Sequence, residues 1–288
     1  ELNMHSNINR VVSKILKPIP DKLYLKCIFY LRMQKRLNLK KPMTFNEKIQ
    51  WLKLYDRKEI YHVIVDKYEV KKYVSQKIGE EYIIPTVGVW KDIKSININA
   101  LPNSFVMKAT HDSGGVYICK NKNNYNFKEC FYKLEKSMKH DFYLNSREWA
   151  YKGVNSRIIA EEFLEDNDLK DYKFFCFNGE CKLFKIDFDR ETKHGANYYD
   201  INGNILPFGE KICPPNYNKI INLPTNLNKM ITLAEKLAEE IPFVRVDFYN
   251  QNGKIYFGEM TLYPSSGIGP FTDEKWDLKL GEWISLPR

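Results

Sequence analysis

No two cysteines in this chain are spaced as C-x-x-C. The six present (Cys27, Cys119, Cys130, Cys176, Cys181, Cys213) are too scattered for a zinc knuckle or a disulfide-stapled module. They read as reduced thiols of a cytoplasmic protein, with Cys176 and Cys181 facing each other across a hairpin turn at Asn178-Gly179. No run of about 18 apolar residues occurs, so no membrane-crossing helix is expected. A signal-peptide pattern is also missing; the first residue is Glu1 rather than Met, and what precedes it stays open. Walker and dinucleotide glycine patterns are absent, as are internal repeats and low-complexity stretches. Acidic residues are scarce in one place. Residues 1–41 hold ten Lys or Arg against Glu1 and Asp21, a charge of +8 out of the chain's +9. The other 247 residues are therefore almost neutral, which argues against a nucleic-acid substrate, since such a partner demands basic charge around the working surface.

What is present suits a large α+β fold. The 288 residues, 43% hydrophobic, can bury one large core or two lobes around a cleft. From Leu23 to Leu37, Leu23, Cys27, Tyr30 and Leu31 recur at helical spacing among basic residues. That pattern suits a helix packed on its own protein or one lying on an anionic membrane surface. Thr44-Phe45-Asn46-Glu47 spells a capping box that opens a second helix. A third helix is expected over Tyr61–Lys77, stopped at Gly79. Short strands follow at 82–84, 87–90, 104–109 and 116–120, then a helix at 127–139. Strands are expected again at 157–163, 172–177, 181–188 and 197–199, a helix at 226–240, and a hairpin of 243–249 with 254–260. Helices and antiparallel strands interleave, which is α+β rather than a parallel βαβ sheet.

Four stretches could carry chemistry. In the last hairpin Arg245, Asp247 and Glu259 sit among apolar neighbours, where charges need partners. A three-residue turn at Gln251-Asn252-Gly253 puts Arg245 opposite Glu259 and Asp247 on the same face; a two-residue Asn-Gly turn puts Glu259 on the other face. Two convergent carboxylates suit a Mg²⁺ ion, or with the arginine form a structural ion pair. Lys108 at a strand end, followed by His111-Asp112-Ser113-Gly114-Gly115, makes either a phosphate cradle or an ordinary hairpin tip. The strand Arg157–Leu164, running to Asp171-Tyr172-Lys173, presents acids and backbone groups to an adenine edge or forms a surface turn. Lys185–Arg190 with His194 is a charged strand end, solvated on its own reading and a place for acceptor contacts only on the resemblance that follows.

Taken in order, Thr44–Leu52, Asp66-Lys67-Tyr68, Ile78-Gly79-Glu80, Pro85–Trp90, Phe105–Gly115, Asp171–Gly179, Phe243–Tyr249 and Phe257–Gly267 resemble the ATP-grasp superfamily, and within it the TupA-like family. The resemblance covers residues from about 42 to the end. It implies two α+β lobes gripping ATP, bounded at 61–156 and 157–288, behind an N-terminal helical segment of 1–60. It also implies roles for individual residues. Lys67 and Lys108 would hold the phosphates, and the loop containing His111, Ser113, Gly114 and Gly115 would close over the γ-phosphate. Glu161, with the backbone of Glu162 and Leu164, would read adenine; Asp171 would take the ribose. Lys173 matches a basic residue of peptide-ligating members, and Arg245 would stabilise the transferring phosphoryl group. Asp247 and Glu259 would bind Mg²⁺. Where many members carry Glu-x-Asn, this chain has Glu259-Met260-Thr261, so Thr261 offers only a neutral hydroxyl as third ligand.

The implied activity joins a carboxylate to an amine through an acyl phosphate. The implied substrates are a uronic-acid-type carboxylate of a cell-surface polysaccharide precursor and an amino acid or amino alcohol. Arg190 would pair with the acceptor carboxylate, and Asp187 or Asp189 would orient the amine. A kinase that phosphorylates a sugar alcohol and a non-catalytic carbohydrate-binding scaffold are the alternatives. The expected location is cytoplasmic, with contact to an anionic inner membrane face through residues 10–41.

Overall fold

The computed structural model describes residues 18–165, 169–189 and 193–287. Within them, α1 (Asp21–Met33) and α2 (Phe45–Tyr55) come first. The Thr44 capping box closes as the sequence predicts: its side chain accepts from the Glu47 backbone, and Glu47 returns the bond to the Thr44 backbone. The single helix expected over Tyr61–Lys77 is instead two, α3 (Ile60–Val65) and α4 (Glu69–Ile78). Asp66 causes the break, because its Oδ1 accepts from the Tyr68 and Glu69 amides and so restarts the helix. Residues 82–84, expected as a strand, are not one: Tyr82 ends a 3₁₀ turn over Glu80–Tyr82, and the first strand begins at Thr86.

Two antiparallel sheets carry the rest. The first has the order β1–β4–β2–β3, from β1 (Thr86–Trp90), β2 (Phe105–Ala109), β3 (Val116–Cys119) and β4 (Ile158–Glu162). Phe105, Met107, Cys119, Ile158 and Ala160 bury one of its faces with Cys130 and Leu134 of α5 (Phe127–Met138). The alternate residues Val106 and Lys108, with exposed Val116 and Ile118, occupy the opposite face. The short α6 (Phe142–Ser146) follows α5. The strand β4 joins this first sheet, between β1 and β2.

The second sheet has the order β7–β6–β5–β8–β9. Its strands are β5 (Lys170–Phe177), β6 (Glu180–Phe188), β7 (Gly195–Asp200), β8 (Phe243–Gln251) and β9 (Lys254–Thr261). Tyr172, Phe174 and Cys176 lie opposite Phe248, Val246 and Val244 and share the main core with Met230, Ala234 and Leu237 of α7 (Leu227–Ala238). Cys176 does pair with Cys181 across the Asn178-Gly179 turn, and both are free thiols.

The helices α2, α3 and α4 belong to this second core, whereas α1 buries Tyr24, Leu25 and Phe29 in a smaller cluster of its own. Phe45 of α2 meets Phe243 edge to face, with ring centroids 4.9 Å apart. Asn46 donates to Gly269 O and to Asp277 of α8 (Glu274–Glu282). Gly281 lets α8 approach α2, since a Cβ there would lie 2.1 Å from Met43 O. No helix among the described residues is long and apolar enough to cross a membrane.

Candidate active site

The β8–β9 hairpin departs from both sequence expectations and still reaches the expected face. Its turn is the two-residue Asn252-Gly253, with φ of 52° and 86°, the left-handed pair that Asn-Gly favours. That parity alone would turn Glu259 away. The register shifts after Asp247, however, and Gly258 is left without a cross-strand partner, as a bulge. Asp247 therefore lies opposite Glu259, and Arg245 opposite Thr261. Glycine suits the bulge, because a Cβ at 258 would stand 3.1 Å from Asp247 O and 3.2 Å from the Tyr249 ring.

The three charges engage one another. Arg245 donates from Nε and Nη2 to the two Asp247 oxygens, at 2.7 Å each, and from Nη2 to Glu259 Oε1 at 2.6 Å. Thr261 Oγ1 donates to the same Glu259 oxygen at 3.2 Å. Asp247 is buried, whereas the Glu259 side chain is 46% exposed. Burial pulls the Arg245 pKa down, but Asp247 and Glu259 more than offset this and raise it. Burial likewise pushes Glu259 up, and Arg245, Lys173 and Lys67 bring it below its ordinary value.

From half-exposed Glu259 a polar row, buried from Asp247 onward, crosses the whole sheet, register partner by register partner: Glu259, Asp247, Lys173, Lys185, Tyr198. Lys173 Nζ donates to Asp247 Oδ2 at 2.8 Å and to Asp171. Asp171 thus sits beside Lys173, and the coulombic pull of Asp247 and Asp171 outweighs burial to raise the lysine's pKa. Two buried lysines side by side are tolerable because each has its own acid. Lys185 donates to Glu210 Oε1 at 3.1 Å, as does the Tyr198 hydroxyl at 2.5 Å. Asp187 lies 3.7 Å from Lys185 Nζ and 3.7 Å from His194 Nε2. Asp189 pairs instead with Lys219 at the surface. Arg190 lies outside the described residues.

On the first sheet, Lys108 Nζ meets Glu161 Oε2 at 2.5 Å, and Lys71 Nζ meets Oε1 at the same distance. Both Glu161 oxygens are thus held by ammonium groups. Burial raises the carboxyl pKa, yet the two lysines overcome this and lower it. The side chain implied to read adenine holds two lysines here. Glu162, exposed at the strand end, donates its amide to Pro85 O at 3.0 Å, and Leu164 lies in the half-buried connector beyond.

Lys67 occupies the break between α3 and α4, with its amide on Thr110 O at 3.0 Å and its Nζ on Ala109 O at 3.2 Å and on the Asp112 carbonyl. Burial lowers its pKa, with Asp112 and Glu259 offsetting part of the effect. In the loop that follows β2, His111 is buried and neither ring nitrogen has a hydrogen-bond partner. Ser113 and Gly114 are exposed, and Gly114 and Gly115 take φ of 126° and 62°, so only glycine adopts this path without strain.

Three features of the site escaped the sequence reading. Lys71 is one; its signal was its place four residues after Lys67. Glu210 is another, and it carries no local pattern. The third is the segment Pro264–Gly267, where Ser265, Ser266 and Gly267 all have left-handed φ (47°, 54°, 61°), a costly run for non-glycine residues. It is pinned from α2. Gln50 Nε2 donates to Ser266 O and Gly267 O at 2.8 and 2.7 Å, and buried Lys53 donates to Ser266 O and Oγ at 2.7 and 2.6 Å. Burial pushes Lys53 down to about 8, with Glu148 offsetting part of the shift.

Asp247, Glu259 and Thr261 form an all-oxygen donor set at one spot, within electrostatic reach of Lys67. Such a set fits a hard divalent cation that shares its shell with phosphate oxygens.

A family model described as TupA-like ATPgrasp matches residues 47–285. No curated protein matches the chain. Among solved structures, D-alanine–D-alanine ligase from Helicobacter pylori is 18% identical with a TM-score of 0.43, over 84% of this chain and 69% of that one. The D-alanine–D-alanine ligase from Bacillus anthracis complexed with ATP is 15% identical with a TM-score of 0.40, over 69% of this chain. The match spans 54% of that ligase's own length. N5-carboxyaminoimidazole synthetase from Staphylococcus aureus is 14% identical with a TM-score of 0.41, over 78% and 53% of the two chains.

Proposed function

This chain belongs to the TupA-like ATP-grasp family, and on that premise we propose that it is an ATP-dependent carboxylate–amine ligase. Its acceptor is a uronic-acid-type carboxylate of a cell-surface polysaccharide precursor, and its second substrate an amino acid or amino alcohol. The observation that carries this reading is the convergence of two lysines from the first-sheet side, Lys67 and Lys108, with Arg245, Asp247 and Glu259 of the second sheet. Lys67 and Glu259 each shift the other's pKa.

In the first step a carboxylate oxygen attacks the γ-phosphorus, the bond to the β–γ bridging oxygen breaks, and ADP leaves an acyl phosphate. The amine nitrogen then attacks the acyl carbon, phosphate departs with the C–O electrons, and the nitrogen loses a proton to give the amide. Lys67 and Lys108 hold phosphate oxygens, and Arg245 neutralises charge on the transferring group. When Lys108 turns to phosphate, Lys71 stays on Glu161, so the buried carboxylate keeps a counter-ion. The unpartnered ring nitrogens of His111 face the same need for a phosphate partner, and Gly114 and Gly115 allow the loop to close and exclude water. Asp247, Glu259 and Thr261 would hold Mg²⁺, which when bound neutralises phosphate charge. Lys185, Asp187 and His194 would make the acceptor end, and the resemblance assigns Arg190, outside the described residues, to the acceptor carboxylate.

The test is thermal stability with and without Mg·ATP. At about 100 times its dissociation constant the nucleotide stabilises by roughly 2.7 kcal/mol, about 5 °C or more for this size. Lys108→Ala removes that gain, and ADP release from the parent rises only when acid and amine are both supplied. No stabilisation at millimolar Mg·ATP overturns the reading, and ADP release that ignores amine reduces it to a kinase.

A further inference from the structure

The helix α1 is apolar on two sides, and only one side is covered. Its inner residues Tyr24, Leu25 and Phe29 are buried with Leu37 and Leu39. Tyr24 is fixed further by a 2.6 Å bond to Asn145 O and by the Arg147 guanidinium 4.6 Å above its ring. The stripe that the sequence left open between internal packing and a membrane surface, Leu23, Cys27, Tyr30 and Leu31, is the outer one. Leu23 and Tyr30 are 54% exposed, Leu31 is 46% exposed, and Cys27 is exposed too. At 100° per residue these four fall within an arc of about 100°, with exposed Lys22 and Lys26 along one edge.

The remaining basic charge lies in the helix's last turn and just beyond it. Arg32, Lys35, Arg36, Lys40 and Lys41 are all exposed. Against seven basic side chains in residues 18–41 stands Asp21, which Arg57 and Tyr143 already engage. Lys35 alone of the seven has an ion-pair partner among the described residues, the exposed Glu274.

We propose that this outer face docks the enzyme on an anionic lipid bilayer, with Leu23, Tyr30 and Leu31 in the headgroup boundary and the lysines and arginines on lipid phosphates. Charge complementarity selects this occupant. A second copy of the chain would bring two cationic rims together, whereas an anionic surface attracts each basic residue and accepts an apolar stripe. The stripe is solvent-facing, so its alteration leaves the core untouched.

The full chain is sedimented with vesicles of mixed phosphatidylglycerol and phosphatidylcholine, and with phosphatidylcholine alone. The parent pellets with the first and not the second, and less so as salt rises. Lys22→Gln with Lys26→Gln weakens binding about fivefold per charge removed. Leu23→Ser with Leu31→Ser weakens it about tenfold or more, with unchanged melting temperature as the fold control. Pelleting that neither pair alters overturns the proposal, as does equal pelleting on both vesicles or none on either. A solution dimer that Leu23→Ser with Leu31→Ser dissociates overturns it too, in favour of a second copy.

Discussion

Glu161 shares one negative charge between two ammonium groups, and the division sets how freely Lys108 can move. With Lys71 removed, Lys108 would have to leave a buried carboxylate unpaired to reach phosphate, and leaving a charged group unsatisfied is expensive. Lys71→Met is therefore expected to weaken Mg·ATP binding about tenfold, read by titration calorimetry, although Lys71 need not touch the nucleotide. An unchanged affinity would show that Lys108 does not depend on the shared acid. The sequence disclosed Glu161 as an acid at a strand end but not what it holds, because its partner Lys71 lies 90 residues earlier and meets it only in the fold. Lys67, Lys108 and Arg245 were easier to read, since each stands in a short local pattern.

At the scale of elements, legibility depended on parity. In a hairpin the turn length fixes which residues share a face, and here a two-residue turn and one bulge cancel. Periodicity could show that Arg245 and Asp247 share a face, but only the lone Gly258 within a strand hinted at the extra residue. Gly258→Val should separate the two functions of the hairpin. Its side chain would press on Asp247 O and the Tyr249 ring and displace the Asp247–Glu259 pair. We expect loss of the Mg·ATP-dependent rise in melting temperature together with a cost of about 1–3 kcal/mol in stability. Asn252→Ala with Gly253→Ala strains the turn instead, and should lower stability while keeping the nucleotide response. The split helix at Asp66 follows similar logic: the hydrophobic period ran straight through, and one side-chain cap overrode it.

Across the whole molecule, long-range closure was the least legible feature. The capping box and the apolar face of α2 were plain in sequence, whereas the target of its polar face was not. Asn46, Lys48, Gln50 and Lys53 all reach into the last 25 residues, and Lys53 reaches Ser146 as well. Lys53 gives this closure a pH signature. Its folded pKa of about 8 lies below the ordinary 10.5, so between those values the unfolded chain binds a proton that the folded chain does not. Stability from this group therefore rises with pH across about 8 to 10.5, and below that window the cost of burying the ammonium is fully present. Urea titrations at pH 8 and pH 10 should show the rise in the parent and a smaller rise in Lys53→Met. Equal slopes would place the Lys53 pKa at its ordinary value.

The clamp on Pro264–Gly267 also orders events in time. Gln50 and its Ser266 carbonyl are 216 residues apart. At cellular rates of synthesis the helix waits roughly ten to forty seconds for the segment it holds. A ribosome-bound chain halted before Pro264 would carry Lys67, Lys108, Arg245, Asp247 and Glu259 while Gln50 lacked its Ser266 and Gly267 partners and Lys53 lacked Ser266. The contacts of α2 with Ser266 and Gly267 would then be among the last that the nascent chain makes.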